Sequence, residues 1–260
     1  MTSFLLAEWL AKPVWMWLAF LTLVIALLAF DLGVWHKEDK EMGISESLWL
    51  SAFYFAISIT YGIGIWWAYS HGHIVTEDGT HAGVTFFTGF FIEKALSIDN
   101  IFVIGLIFTT FGIPRKYQYR ALLWGIIGVI VLRGIMIALG AALVEQYYWV
   151  LYFFAVFLIA TGVKMLFASE KPMDVANNPV VKAISRMMRV TPELHEQRFF
   201  VRVPDSKTGK LVLAATPLFL ALVVINVVDL IFAVDSVPAI FAITTDTFIV
   251  FAANAFALLG

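Results

Sequence analysis

Asp229-Leu-Ile-Phe-Ala-Val-Asp235-Ser236 and Glu93-Lys-Ala-Leu-Ser-Ile-Asp99-Asn100 decide how this chain is read, because each sets two carboxylates six residues apart inside a long apolar run. A carboxylate in the bilayer interior costs about 3 kcal/mol on insertion scales, so acids of this kind face a cavity or a partner and mark ion or proton paths. The surrounding composition makes the bilayer the right solvent to consider. The chain is 61% hydrophobic and 14% charged, with a mean hydropathy of +0.89, far outside the usage of soluble domains.

A helix needs about 20 apolar residues to cross a membrane. Spans are expected near 14–35, 48–68, 83–111, 121–143, 149–168 and 213–243, with a seventh starting at about 247. The predicted fold class is an all-α polytopic helical membrane protein with about seven transmembrane helices. From Thr247 to Gly260 there are fourteen residues, too few to cross at about 1.5 Å each, so the last helix is expected to be cut within its span. The expected organisation is helices one to five over 1–168, a cytoplasmic loop over 169–212, and helices six and seven over 213–260. The first helix is longer than a secretory hydrophobic region and lacks a small-residue cleavage site, so it is not read as a signal peptide.

Charge placement orients the chain. Of seventeen Lys and Arg residues, thirteen fall in connections on one side: Lys37, Lys40, Arg115, Lys116, Arg120 and eight from Lys171 to Lys210. By the positive-inside rule that side is cytoplasmic and the N-terminus is outside, in a multi-pass protein of the inner (plasma) membrane. The opposite side carries Lys12 and the loop Ser70–Ala82, with Glu77 and Asp78. Within the large loop, Pro179 to Arg189 has apolar residues at helical spacing opposite Lys182, Arg186 and Arg189, which predicts an amphipathic helix at the interface. Phe199–Val203 and Lys210–Leu213 flank a Pro-Asp-Ser-Lys-Thr-Gly turn and predict a β-hairpin. Positive-inside charge alone accounts for this basic loop, and no nucleic-acid role is expected. Trp15, Trp17, Trp66, Trp67, Tyr69, Tyr147, Tyr148 and Trp149 gather near helix ends, as interfacial aromatics do.

The third and sixth predicted spans run in opposite directions, so the two acidic segments form an inverted repeat. Six helical residues rise about 9 Å, which sets Glu93 level with Asp235 and Asp99 level with Asp229. The same six residues turn through about 600°, leaving the members of one pair about 120° apart. Either two layers are stacked or the helices are broken. Pro238 favours a break in the sixth span, because it cannot donate to the Val234 carbonyl. Asn100 and Ser236 follow the second acid of each pair and add neutral oxygens. Four deep acids against two deep bases, Lys94 and Arg133, leave a net charge that suits a divalent cation; Asp31 and Lys164 lie nearer the cytoplasmic ends. The bland alternative is that the acids pair with Lys94 and Arg133 only to lock helices together.

The chain has no cysteine, so a metal would be held by oxygen or imidazole, which favours Mn²⁺, Mg²⁺ or Ca²⁺. His71, His73 and His81 lie on the outer loop and are read as idle. No nucleophile–base set or phosphate loop is present, so neither catalysis nor ATP-driven transport is expected, and no cofactor.

At Glu93-Lys94 through Asp99-Asn100, and at Asp229 through Asp235-Ser236-Val-Pro238-Ala-Ile-Phe-Ala, the sequence resembles the TerC family of integral membrane proteins, related to LysE-type exporters. The resemblance extends from the Asp31 helix, through Leu132-Arg133 and Gly162-Val-Lys164-Met, to the last residue. It implies Mn²⁺ export using Glu93, Asp99, Asp229 and Asp235. To these four metal residues the reading of the sequence adds Asn100 and Ser236, with Asp31, Lys94, Arg133, Lys164 and Asn226 as supporting residues and carboxylate protonation as a route to coupling with the proton gradient. Similar proteins often carry Glu where this chain has Asn226, and they continue beyond the equivalent of Gly260. The rival expectation is a non-transporting membrane scaffold serving metal or tellurite stress resistance and metal loading of secreted enzymes. The expected partners are a divalent cation and the lipid bilayer.

Overall fold

The computed structural model of the 260-residue chain describes residues 8–10, 12–31, 43–71, 79–167, 179–187, 189–204 and 211–259. Eight helices are present among them: α1 (Val14–Phe30), α2 (Ile44–Ser70), α3 (Gly79–Thr110), α4 (Arg115–Gln146), α5 (Val150–Phe167), α6 (Pro179–Met187), α7 (Pro217–Phe241) and α8 (Thr247–Leu259). The protein is a helical membrane protein. α2, α4 and α7 are each long and apolar enough to span, while α1 and α8 are shorter apolar helices, as is the stretch Val150–Lys164 within α5. α3 has 32 residues but carries Glu93, Lys94 and Asp99 in its middle. Outward faces such as Tyr152, Val156 and Ile159 of α5 are apolar and exposed, as a lipid-facing stripe must be.

Helix ends follow local chemistry. α3 stops where Gly112 adopts a left-handed φ of 62°. Its N–H bonds the Thr109 carbonyl and the next N–H, of Ile113, reaches back to Phe108, the paired bonding of a Schellman cap. Pro114 then bars continuation and α4 begins at Arg115. At the start of α7, Thr216 precedes Pro217, whose missing N–H costs nothing in the first turn, and the Thr216 hydroxyl accepts from the Phe219 N–H at 3.4 Å.

Two small sheets accompany the helices. β1 (Glu8–Trp9) pairs antiparallel with β2 (Lys12–Pro13). β4 (Phe200–Pro204) and β5 (Leu211–Ala215) form the expected hairpin, in register from Phe200 opposite Ala215 to Pro204 opposite Leu211. β3 (Arg189–Val190) adds to β5 in parallel, giving the order β3-β5-β4. Because Leu211–Ala215 is committed to this sheet, α7 starts at Pro217 and not at the expected 213.

The expected break at Pro238 does not occur: α7 is helical from Pro217 to Phe241 with the proline inside. Only one donor is lost, close to the end of the helix, and the Ala242 N–H bonds the Pro238 carbonyl itself at 3.0 Å. A spanning helix absorbs that loss. α3 is likewise helical through its acidic motif. With both helices intact, six helical residues leave the two acid positions of each motif on different helix faces.

The chain divides into two compact units: Met1–Ser97, Arg133–Leu166 and Val234–Gly260 form unit 1, and Ile98–Leu132 with Phe167–Ala233 form unit 2. Unit 1 has an aromatic core of Phe20, Phe86, Phe90, Phe248 and Phe256. Small residues let its helices approach, as membrane packing requires. A Cβ on Gly62 of α2 would lie 2.7 Å from the Phe86 ring, and one on Gly89 of α3 would touch Ala253 of α8 at 3.3 Å and Ile240 of α7 at 3.5 Å. Unit 2 is built on Ile107, Phe108, Ala121, Leu218, Val224 and Ile225, with Val181 of α6 packed against them. α6 is therefore amphipathic as expected, with Lys182 and Arg186 exposed, but its apolar face leans on its own unit's core. Within unit 1 an early residue of α3 meets a late residue of α7; within unit 2 the late part of α3 packs with the early part of α7.

Candidate functional site

Glu93, expected as a metal ligand, is fully buried in unit 1 at 0% exposure. Its carboxylate is occupied by protein. Arg133 Nη1 donates to Glu93 Oε1. The same nitrogen donates to Asn254 Oδ1 at 3.1 Å, and Asn254 Nδ2 donates to Glu93 Oε2 at 3.0 Å. A closed ring of three side chains thus ties α3, α4 and α8. Each charge has its counter-charge, and each Glu93 oxygen accepts at least one bond, the condition for keeping a buried carboxylate ionised. Lys94 does not join the ring; its ammonium donates to the Ala257 carbonyl on α8 at 3.3 Å.

A second buried cluster lies at the start of α8. Lys12 is 3% exposed and its ammonium is 2.7 Å from Asp246 Oδ2, which also accepts from the Tyr69 hydroxyl at 3.1 Å. Asp246 Oδ1 accepts from the N–H groups of Phe248 at 3.1 Å and Ile249 at 3.3 Å, capping α8. Tyr69 is therefore a buried hydrogen-bonding residue, and Trp17 is buried against Phe248. Lys12, Asp246, Glu145 and Tyr148 help line a cavity of about 390 Å³.

Asp235 in unit 1 is half-buried, and no hydrogen-bond or ion-pair partner to it is present among the described residues. The neighbouring Ser236 is 2% exposed and its hydroxyl has no partner among the described residues. In unit 2, Asp229 and Asn100 are half-buried. Asn226 is in unit 2 as well: its Nδ2 donates to the Leu222 carbonyl at 2.8 Å, and its Oδ1, without a partner among the described residues, lies where a Cβ on Gly128 of α4 would come within 2.1 Å. The side chain of Asp99 lies outside the described residues, as do His73, Lys37 and Lys40. Asp31 follows the last turn of α1, with its N–H on the Leu27 and Leu28 carbonyls. Lys164 is exposed in the last turn of α5, where a cation suits the helix dipole. His71 and His81 are exposed. Among the described residues, no three His, Asp or Glu side chains gather as a metal cluster.

Asn254 and Asp246 were missed by sequence reasoning. Both carried a signal: Asn254 is a lone polar residue in Phe-Ala-Ala-Asn-Ala-Phe, and Asp246 precedes an apolar run as an N-cap does.

Apolar spans, buried ion pairs and acids carried on two long helices define an integral membrane protein with polar groups held at depth. The integral membrane protein TerC family model matches residues 78–260, and this chain belongs to that family. It is 47% identical over 244 residues to an "Uncharacterized membrane protein" of Rickettsia bellii, covering 94% of this chain and 76% of the relative. It is 40% identical over 245 residues to "Uncharacterized membrane protein STKORF319" of Myxococcus xanthus, covering 94% and 72%. It is 39% identical over 248 residues to the "Putative membrane-bound redox modulator Alx" of Escherichia coli, covering 94% and 74%. None of these three relatives carries an enzyme's name. No solved structure matches.

Proposed function

We propose that this chain is a membrane transporter that exports a divalent cation, Mn²⁺ first, using the acids of α3 and α7. The observation that carries the reading is Asp235: a half-buried carboxylate in a membrane-length helix, with no partner among the described residues. An acid that only braced helices would be paired, as Glu93 and Asp246 are. An acid that handles a passing cation must be free to meet it. The scaffold alternative thus accounts for Glu93 and leaves Asp235 unexplained.

Division of labour follows. Arg133 and Asn254 hold Glu93 as a fixed joint, while Asp235 acts on the cargo. The redox role in the name of the Escherichia coli relative has no thiol to work through in these 260 residues, since none is cysteine.

Proteoliposomes containing the purified chain should take up Mn²⁺, with Mg²⁺ and Ca²⁺ as competitors; lack of any cation flux overturns the reading. The proposed orientation, basic loops in the cytoplasm of an inner-membrane protein, predicts that a cysteine at exposed Arg186 labels only from the cytoplasm and one at exposed His81 only from outside. Labelling of both from one face contradicts it.

A further inference from the structure

The β4–β5 hairpin of unit 2 is apolar on both of its faces. Its register sets Phe200 opposite Ala215, Arg202 opposite Leu213 and Pro204 opposite Leu211, and strand alternation puts these residues on one side of the ribbon. The other side is the inner one, where Val201 is 8% exposed and Ala214 1%. Leu211 at 64% exposure, Leu213 at 57% and Phe200 at 39% belong to the outward side. An antiparallel sheet with one face covered by protein usually turns polar residues to water on the other. Here the outward side holds a single polar residue, Arg202, among apolar ones.

That outward side is continuous with a membrane helix. β5 ends at Ala215, and only Thr216 separates it from α7, which is long and apolar enough to span. Thr216 fixes the junction: its N–H donates to the Phe199 carbonyl at 3.0 Å and its hydroxyl donates to the Arg198 carbonyl at 2.7 Å. The Phe200 ring lies against Phe219 in the first turn of α7, with ring centroids 4.5 Å apart. The apolar row therefore begins at the helix and runs on along the hairpin.

We propose that this outward face is a lipid-docking surface, seated at the headgroup boundary with Leu211, Leu213 and Phe200 toward the acyl chains and the Arg202 guanidinium on anionic lipid phosphate. Apolar side chains held at an interface bury into the acyl boundary while long basic ones reach the headgroups. Arg202 is exposed and has no ion-pair or hydrogen-bond partner among the described residues, so it is available for that contact. The interfacial role expected of α6, whose apolar face is taken up by the core, thus falls to the hairpin. A second copy of the chain is a poor cover: two five-residue strands present a face of about 17 Å by 10 Å, far short of the roughly 800 Å² per partner that a stable interface takes. The surface is independent of the transport reading.

The chain has no cysteine, so Leu213→Cys places a single thiol for an environment-sensitive fluorophore on the full chain in nanodiscs. Nitroxide-labelled lipid should quench that fluorophore and aqueous iodide should not, with the contrast greater in phosphatidylglycerol than in phosphatidylcholine. Adding Arg202→Gln should lower the ratio of lipid to iodide quenching about fivefold in phosphatidylglycerol, the share of one basic residue near an anionic surface, and leave it unchanged in phosphatidylcholine. A merely structural arginine would not distinguish the two lipids. Iodide quenching without lipid quenching in either bilayer overturns the proposal. Lipid quenching indifferent to both lipid charge and Arg202 overturns the anionic preference. Protection from both quenchers only in nanodiscs holding two chains identifies a second copy as the cover and overturns the lipid assignment.

Discussion

Glu93 and Asp235 head and close two look-alike acidic motifs, yet they live in opposite environments. Glu93 is sealed, matched by Arg133 and completed by Asn254. Asp235 is half-buried and faces no partner among the described residues. The difference teaches that a repeated motif in sequence need not carry a repeated role. One copy contributes a joint that fixes three helices, and the other keeps a charge available. The proposed transport role draws on both, because a movable cargo must be handled by groups whose own positions are firm.

The largest effect should come from opening the joint. Arg133→Gln leaves a fully buried carboxylate without its counter-charge, which costs about 3–5 kcal/mol, so the purified variant should lose most of its folded population on thermal size-exclusion analysis. The double variant Glu93→Gln/Arg133→Gln removes both charges and should recover much of that loss. A single Arg133→Gln variant as stable as wild type would mean that Glu93 is no more braced than Asp235.

A smaller loss is expected at Gly128. The added methyl of Gly128→Ala would come within 2.1 Å of Asn226 Oδ1, and overpacking of this kind costs about 1–3 kcal/mol. Adding Asn226→Ala should relieve it, seen as recovered melting temperature; no relief would mean the clash is with something else. Asn226→Glu, longer and charged at the same contact, should be destabilising unless a bound cation compensates it, so Mn²⁺ should raise its melting temperature more than it raises that of wild type. Equal shifts would place position 226 outside cargo handling.

Next comes the difference between two variants of the Lys12–Asp246 pair, which is compensated like Glu93 but doubles as a helix cap. Asp246→Ala removes the cap of α8, worth about 1 kcal/mol, and strands Lys12, whereas Asp246→Asn keeps the capping oxygen and loses only the charge. The alanine variant should therefore melt lower than the asparagine variant. Identical melting temperatures would show that the ion pair alone matters. Asp235→Asn should move the melting temperature least of all.

Much of this was legible in the sequence. Spans of apolar residues and the Pro204–Gly209 turn announced the helices and the hairpin through purely local chemistry, while the Gly112-Ile-Pro114 stop that caps α3 was there to be read and was missed. The two-residue strand β3 was not legible, since its pairing with β5 is set by tertiary contact. Pro238 was over-read: a proline near a helix end removes one bond without breaking the helix. Unpaired acids can be spotted in a sequence, but which acid finds a base cannot, because Glu93 meets Arg133 forty residues away and Asn254 from α8. Lys94, adjacent in sequence, points to a carbonyl instead.

Mn²⁺ flux into proteoliposomes, compared for wild type, Asp235→Asn and Glu93→Gln/Arg133→Gln, tests the central claim most directly. Asp235→Asn should be correctly folded and inactive, while the double variant, stripped of the joint's charges but not of the free acid, should still transport. Wild-type flux through Asp235→Asn would contradict the assignment of the unpaired carboxylate to the cargo.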